Sequence, residues 1–164
     1  MNTYAVSSLI RYPKDYIGHH WITRFEAPRS RKVFIRRAIK ALTLFGLDKF
    51  DTIAFRGMSG ALIGPILADA LNKHLILVRK TLRTDRCDGW LESDETVEGY
   101  AKARKYIIVD DFVETGATAR TIRLSIKKNF PDAECLGVLE VQEITATELK
   151  RKHFELTQFQ RDPL

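Results

Sequence analysis

The sequence predicts an α/β fold, a mainly parallel central sheet flanked by helices, and three observations predict it. The apolar runs DTIAF at 51–55, LILV at 75–78, YIIV at 106–109 and CLGVLEV at 135–141 are continuous rather than alternating, as in strands buried on both faces. Segments with helical periodicity separate these runs, the βα alternation of a parallel sheet. At 164 residues and 45% hydrophobic, the chain has the size of one domain with a substantial core. The expected organisation is a single domain over 1–164.

Taken in order, residues 30–46 read as a helix that ends at Gly46. Lys32, Arg36 and Lys40 repeat at i, i+4 on one side, and Ile35, Ala38, Ile39, Leu42 and Phe45 line the other. The strand at 51–55 leads into the loop Arg56-Gly57-Met58-Ser59-Gly60, then a helix over 61–72 with Pro65 near its first turn. After the strand 75–78, residues 81–100 lack periodicity, and a loop of that length is a lid or a disordered segment. The strand at 106–109 precedes the loop 110–116 and a helix over 117–130, which buries Ala119, Ile122, Ile126 and Phe130 and is closed by Pro131. Thr145 and Glu148 form a capping box for a last helix ending near His153. Right-handed crossovers set the strand C-termini on one edge, where loops 56–60, 79–100 and 110–118 converge and where ligands bind in open sheets.

Composition narrows the function. No stretch approaches the roughly 20 apolar residues of a membrane span, and the start lacks a secretory pattern, so a cytoplasmic protein is expected. Cys87 and Cys135 form no CxxC pair, which argues against a zinc site or a disulfide framework. The net charge is +6, and residues 1–50 carry ten Lys or Arg against three acids while the remainder carries seventeen against eighteen. Such asymmetry fits a surface for a polynucleotide or a small polyphosphate, and a solvated helix face explains the Lys32, Arg36, Lys40 stripe.

The segment Tyr106–Thr118 carries the chemistry. An apolar strand ends in two adjacent carboxylates, Asp110 and Asp111, followed by a Thr-Gly-x-Thr turn that opens a helix. Amides at a helix N-terminus hold a phosphate. Thr115, Thr118 and Thr121 add hydroxyls, and Gly116 allows close approach. Two carboxylates beside an anion site require a hydroxylic or cationic group between them and the phosphate. Ribose hydroxyls and Mg²⁺ both serve. A phosphorylated sugar satisfies both halves.

YIIVDDFVETGAT resembles the phosphoribosyl-pyrophosphate loop of the type I phosphoribosyltransferases over thirteen consecutive positions. The resemblance implies that fold, with a small hood from terminal segments (1–29 and 154–164, including His19, His20 and Trp21), and an enzyme that joins a nitrogenous base to phosphoribosyl pyrophosphate (PRPP) with release of pyrophosphate. It implies Asp110 and Asp111 on the ribose hydroxyls and, through those hydroxyls or water, on Mg²⁺. It further implies Val113, Glu114, Thr115, Gly116, Ala117 and Thr118 around the 5-phosphate. Arg56, Gly57, Met58 and Ser59 resemble the family's pyrophosphate loop, with a cis peptide expected at Arg56-Gly57. Residues 79–100 resemble its mobile catalytic loop, opened by Arg79-Lys80 and closed by Val97-Glu98-Gly99, with Lys80 and Arg83 neutralising the departing pyrophosphate. A homodimer is implied, and nucleic acid and membrane are not.

The sequence departs from the orotate branch, which carries a lysine where Arg83 stands and a histidine close to Asp85. Glu114 stands where the hypoxanthine-guanine branch places an aspartate that accepts a proton from the base; as a first-turn acid it also complements the helix dipole. Phe112 either stacks under the base or belongs to the core. A second functional reading is a non-catalytic PRPP-sensing regulator that binds nucleic acid or a protein. A kinase is disfavoured, since no GxxxxGK[ST] loop is present.

Overall fold

The computed structural model describes residues 28–79, 97–110, 116–140 and 156. Helix α1 spans Pro28–Phe45, a 3-10 turn follows at Leu47–Lys49, and the remaining elements are β1 (Thr52–Arg56), α2 (Gly57–Leu71), β2 (His74–Val78), β3 (Val97–Gly99), β4 (Lys105–Asp110), α3 (Ala117–Asn129) and β5 (Glu134–Glu140). The sheet order is β3-β2-β1-β4-β5. Four strands are parallel, and β3 adds an antiparallel edge on β2.

The continuous apolar runs do mark the centre of the sheet. Ile53, Ala54, Ile107 and Ile108 are fully buried, and alternation divides them between two cores. Ile53, Ile107, Val109 and Leu139 pack with α1 and α2, whereas Ala54, Tyr106, Ile108 and Val138 pack with Ala119, Ile122 and Ile126 of α3. By that alternation Arg56 and Asp110 fall on the α3 face.

α1 keeps Lys32, Arg36 and Lys40 exposed as expected, but its buried stripe is Phe34, Ala38, Ala41 and Leu42, rotated slightly from the reading above. Gly46, at φ 115, ends it, its N–H donating to the Leu42 carbonyl at 3.0 Å. α2 ends in a Schellman turn. Asn72 takes a left-handed φ of 51, its N–H donates to the Asp69 carbonyl, and the Lys73 N–H donates to the Ala68 carbonyl at 2.8 Å.

Several boundaries are corrected. α2 begins at Gly57, so residues 57–60 form its first turns rather than a separate loop, and Pro65 sits inside the helix. A proline there provides no N–H for the Ala61 carbonyl. Val97–Gly99, assigned above to an unstructured stretch, is a strand, too short at three residues to show periodicity. In α3 Ser125 is buried with Ala119, Ile122 and Ile126, and Phe130 is partly buried just beyond the helix. β5 contains a bulge, since Tyr106 pairs with Cys135 but Ile107 with Gly137, which has φ 144. The helix expected at 145–153 and most of both terminal segments lie outside the described residues. Of the tail, Leu156 is described, and it is buried in the core that α1 and α2 share.

Candidate active site

β1 and β4 are adjacent, whereas the chain leaves β1 for β2 on one side before returning to β4 on the other. The reversal of strand order therefore lies between them, the position where open α/β sheets bind ligands. Register pairs Ala54 with Ile108; continued by two residues, it sets Arg56 beside Asp110.

A helix follows each of these strands in the chain, and in a parallel sheet the helix after a strand starts on the side of the strand C-termini. α2 follows Arg56 without an intervening loop, and α3 starts at Ala117 behind its N-cap, Gly116. Neither helix has a side-chain hydrogen bond at its cap. Both turns are made by a glycine in the left-handed region, Gly57 at φ 70 and Gly116 at φ 74. First-turn amides lack intrahelical acceptors and sit at the positive end of the dipole, so each terminus can receive an anion.

Gly60 sets how close α2 comes. A Cβ placed on it would lie 2.7 Å from the Phe55 Cβ and 3.3 Å from the Val109 carbonyl oxygen. Gly64, one turn on, would meet the Phe55 ring at 2.8 Å. The two glycines form a groove for the buried Phe55 ring, and α2 settles against the ends of β1 and β4. RGMSG shows a loop glycine in the sequence, but not that Gly60 is a packing residue.

Several predicted site residues come together at this edge. Asp110, at the end of β4, is 6% exposed. Arg56 is half-buried and its Nε is buried without a hydrogen bond, although the residue makes an interaction elsewhere. Gly57 and Thr118 are half-buried, Ala117 is exposed, and Met58 is 63% exposed on the first turn of α2. Ser59 lies in the same turn. The cis peptide expected at Arg56-Gly57 is corrected: no cis bond occurs among the described residues, and the positive φ of Gly57 makes the turn instead. Lys80, Arg83, Asp111, Phe112, Val113, Glu114 and Thr115 lie outside the described residues.

Arg79, just past β2, meets Glu98, the acid of the segment expected to close the loop that Arg79 opens. Its Nε donates to Glu98 Oε1 of β3 at 2.9 Å. The acid-glycine pair at 98–99 was the available signal. Among the described residues no group of three His, Cys, Asp or Glu could hold a metal, and no helix is long and apolar enough to cross a membrane.

No protein-family model matches the chain. An adenine phosphoribosyltransferase of Ectopseudomonas mendocina (strain ymp) is 31% identical over 137 residues, covering 70% of this chain and 69% of that relative. The chain belongs to the type I phosphoribosyltransferase family.

Solved structures agree with this phosphoribosyltransferase in fold. The adenine phosphoribosyltransferase of Thermoanaerobacter pseudethanolicus superposes with a TM-score of 0.58 at 23% identity, over 81% of this chain and 83% of that one. The orotate phosphoribosyltransferase of Aeropyrum pernix gives 0.54 at 18% identity, over 75% of this chain and 63% of that one. Enzymes of the family join a base to PRPP, giving a nucleotide and pyrophosphate, and the chain is an enzyme of that class. None of these relatives supports the non-catalytic regulator.

Proposed function

We propose that this phosphoribosyltransferase transfers the phosphoribosyl group of PRPP to adenine, forming the nucleoside 5′-monophosphate and releasing pyrophosphate. The observation that carries the donor site is the pair of helix N-termini flanking Asp110 at the switch point. Adenine as acceptor is supported by the naming of the Ectopseudomonas mendocina relative and by the absence of the orotate-branch lysine and histidine near Arg83 and Asp85.

In this reading the amides after Gly116, with the Thr115 and Thr118 hydroxyls, hold the 5-phosphate, and the N-terminus of α2 receives the pyrophosphate. Asp110 and Asp111 accept hydrogen bonds from the ribose hydroxyls and stabilise positive charge on the sugar as the bond to pyrophosphate breaks. The base nitrogen forms the new bond at the anomeric carbon, pyrophosphate leaves with the electron pair, and Glu114 takes the ring proton. Arg79, Lys80 and Arg83 neutralise the leaving group.

Mg²⁺ fits a site in which a buried carboxylate stands beside substrate oxygens, because that ion is held through one or two carboxylates plus phosphates and waters. Its contribution would be to offset charge on the pyrophosphate. Asp110 and Asp111 would face it through ribose hydroxyls or water. The reading extends to a homodimer in the cytoplasm.

The test is incubation with Mg²⁺, PRPP and separate adenine, hypoxanthine, guanine, orotate and nicotinate, with nucleotide detected by mass spectrometry. Adenine nucleotide is the expected product. Turnover of another base alone removes the adenine assignment, and turnover of none removes the enzyme reading for these acceptors.

A further inference from the structure

We propose that Glu98 is a positioning residue, which fixes the Arg79 guanidinium at the strand edge so that its outer edge faces the phosphate-binding side. The proposal rests on Arg79 contacting PRPP. It adds that Arg79 depends on a carboxylate from the neighbouring strand.

The placement follows from register. Glu98 pairs with Leu77 across the antiparallel β2–β3 ladder, and Arg79 lies two residues beyond Leu77. Diagonal partners on one face of such a ladder are within reach of long side chains. Glu98 takes the Nε of Arg79 at 2.9 Å. A guanidinium has five N–H donors in a rigid fork. Engagement at Nε therefore sets the plane of the group while the outer nitrogens can point at a phosphate. A lysine in place of Arg79 could not serve two anions with one fixed geometry.

β3 is itself held closely to β2, so the carboxylate is anchored. A Cβ on Gly99 would lie 2.1 Å from the Leu75 carbonyl oxygen and 2.9 Å from the Ile76 Cα. No side chain fits there. The Tyr100 N–H donates to that same Leu75 carbonyl at 2.9 Å, and the Tyr100 ring stacks on His74 with centroids 3.5 Å apart and planes 10° from parallel. β2 in turn pairs with β1, Val78 opposite Arg56. Glu98 is thus tied through two ladders to the strand that opens the candidate pyrophosphate site.

Both side chains are about half exposed, 62% for Arg79 and 46% for Glu98. An exposed pair contributes modestly, so the expected effect of losing Glu98 is about a two- to fivefold rise in KM for PRPP.

The test is a double-mutant cycle in the full chain with R79A, E98A and R79A/E98A, reading KM for PRPP and kcat separately, with thermal unfolding of each variant alongside. The expected result is that R79A and E98A each raise KM for PRPP, that the double variant matches R79A, and that E98Q resembles E98A. A rise in KM for E98A that adds fully to that of R79A overturns the proposal, as does an unchanged KM for E98A. An R79A variant with unchanged KM for PRPP overturns both the proposal and the assignment of Arg79, so the two failures are distinguishable. If E98A unfolds at the assay temperature, E98Q, which keeps the side-chain volume, gives the same comparison.

Discussion

Gly60 of α2 packs directly on Phe55 of β1, at a separation that leaves no room for a methyl group: the Cβ it lacks would stand 2.7 Å from the Phe55 Cβ. Strand and helix are consecutive in the chain, so this contact fixes the angle at which the α2 N-terminus meets the switch point. Gly60→Ala is expected to destabilise the fold by about 1–3 kcal/mol, the range for overpacking a core. Loss of the α2 approach should also raise KM for PRPP. Urea unfolding and initial rates on the same preparation check both, and an unchanged unfolding midpoint would show that α2 does not pack this closely.

Gly116 makes a second prediction. Its φ of 74 puts it in the left-handed region, which costs most other residues about 1–2 kcal/mol. Asn tolerates that region better than Ala, so Gly116→Asn should retain more PRPP affinity than Gly116→Ala. Calorimetric titration of PRPP into each variant with Mg²⁺ ranks them, and equal affinities would mean that the turn is not needed for the phosphate.

A third concerns β3. Gly99→Ala places a methyl into the Leu75 carbonyl, a backbone group that cannot move aside as a flexible side chain could. The β2–β3 ladder should open. Hydrogen exchange at the Tyr100 amide, bonded to Leu75 in the native chain, is expected to become fast while β1 and β4 stay protected. Retained protection at Tyr100 would count against this pairing.

The central sheet was legible because Ile53, Ala54, Ile107 and Ile108 sit in runs too apolar to face water on either side. Asp110 was legible for the same reason, as a charge at the end of such a run. Edge structure was not. β3 has three residues, and its place depends on the fit of Gly99 against Leu75, a contact made across the sheet and not along the chain. The start of α2 was misplaced because glycine is a poor helix former locally, whereas Gly57 and Gly60 serve the turn and the packing of the folded chain. The Arg79–Glu98 pair spans 19 positions and required the β2–β3 register to be seen.

Alkaline stability gives a fourth prediction. Burial pushes the Tyr106 phenol far above its ordinary value, with the adjacent Cys135 adding to the rise, and burial likewise pushes the Cys135 thiol up. Both groups stay protonated in the native chain at pH values where the unfolded chain ionises them. Their contribution is therefore complete below the unfolded values, about pH 8.5 for a thiol and about pH 10 for a phenol, and is lost as pH rises above them. Tyr106→Phe and Cys135→Ser should each flatten the fall in unfolding midpoint between about pH 8.5 and 11. An unaltered alkaline slope in both would show that other groups set it.

The most direct test of the central claim is the rate of nucleotide formation by the Asp110→Asn, Asp111→Asn double variant, compared with the unaltered chain at saturating base and varied PRPP. If Asp110, at the end of β4, and the Asp111 that follows it in the sequence hold the ribose and its associated Mg²⁺, kcat/KM for PRPP should fall by about a hundredfold or more, the scale of losing preorganised transition-state contacts, while the unfolding midpoint stays close to that of the parent chain. A folded double variant with full activity would contradict the assignment of Asp110–Thr118 as the sugar-phosphate loop.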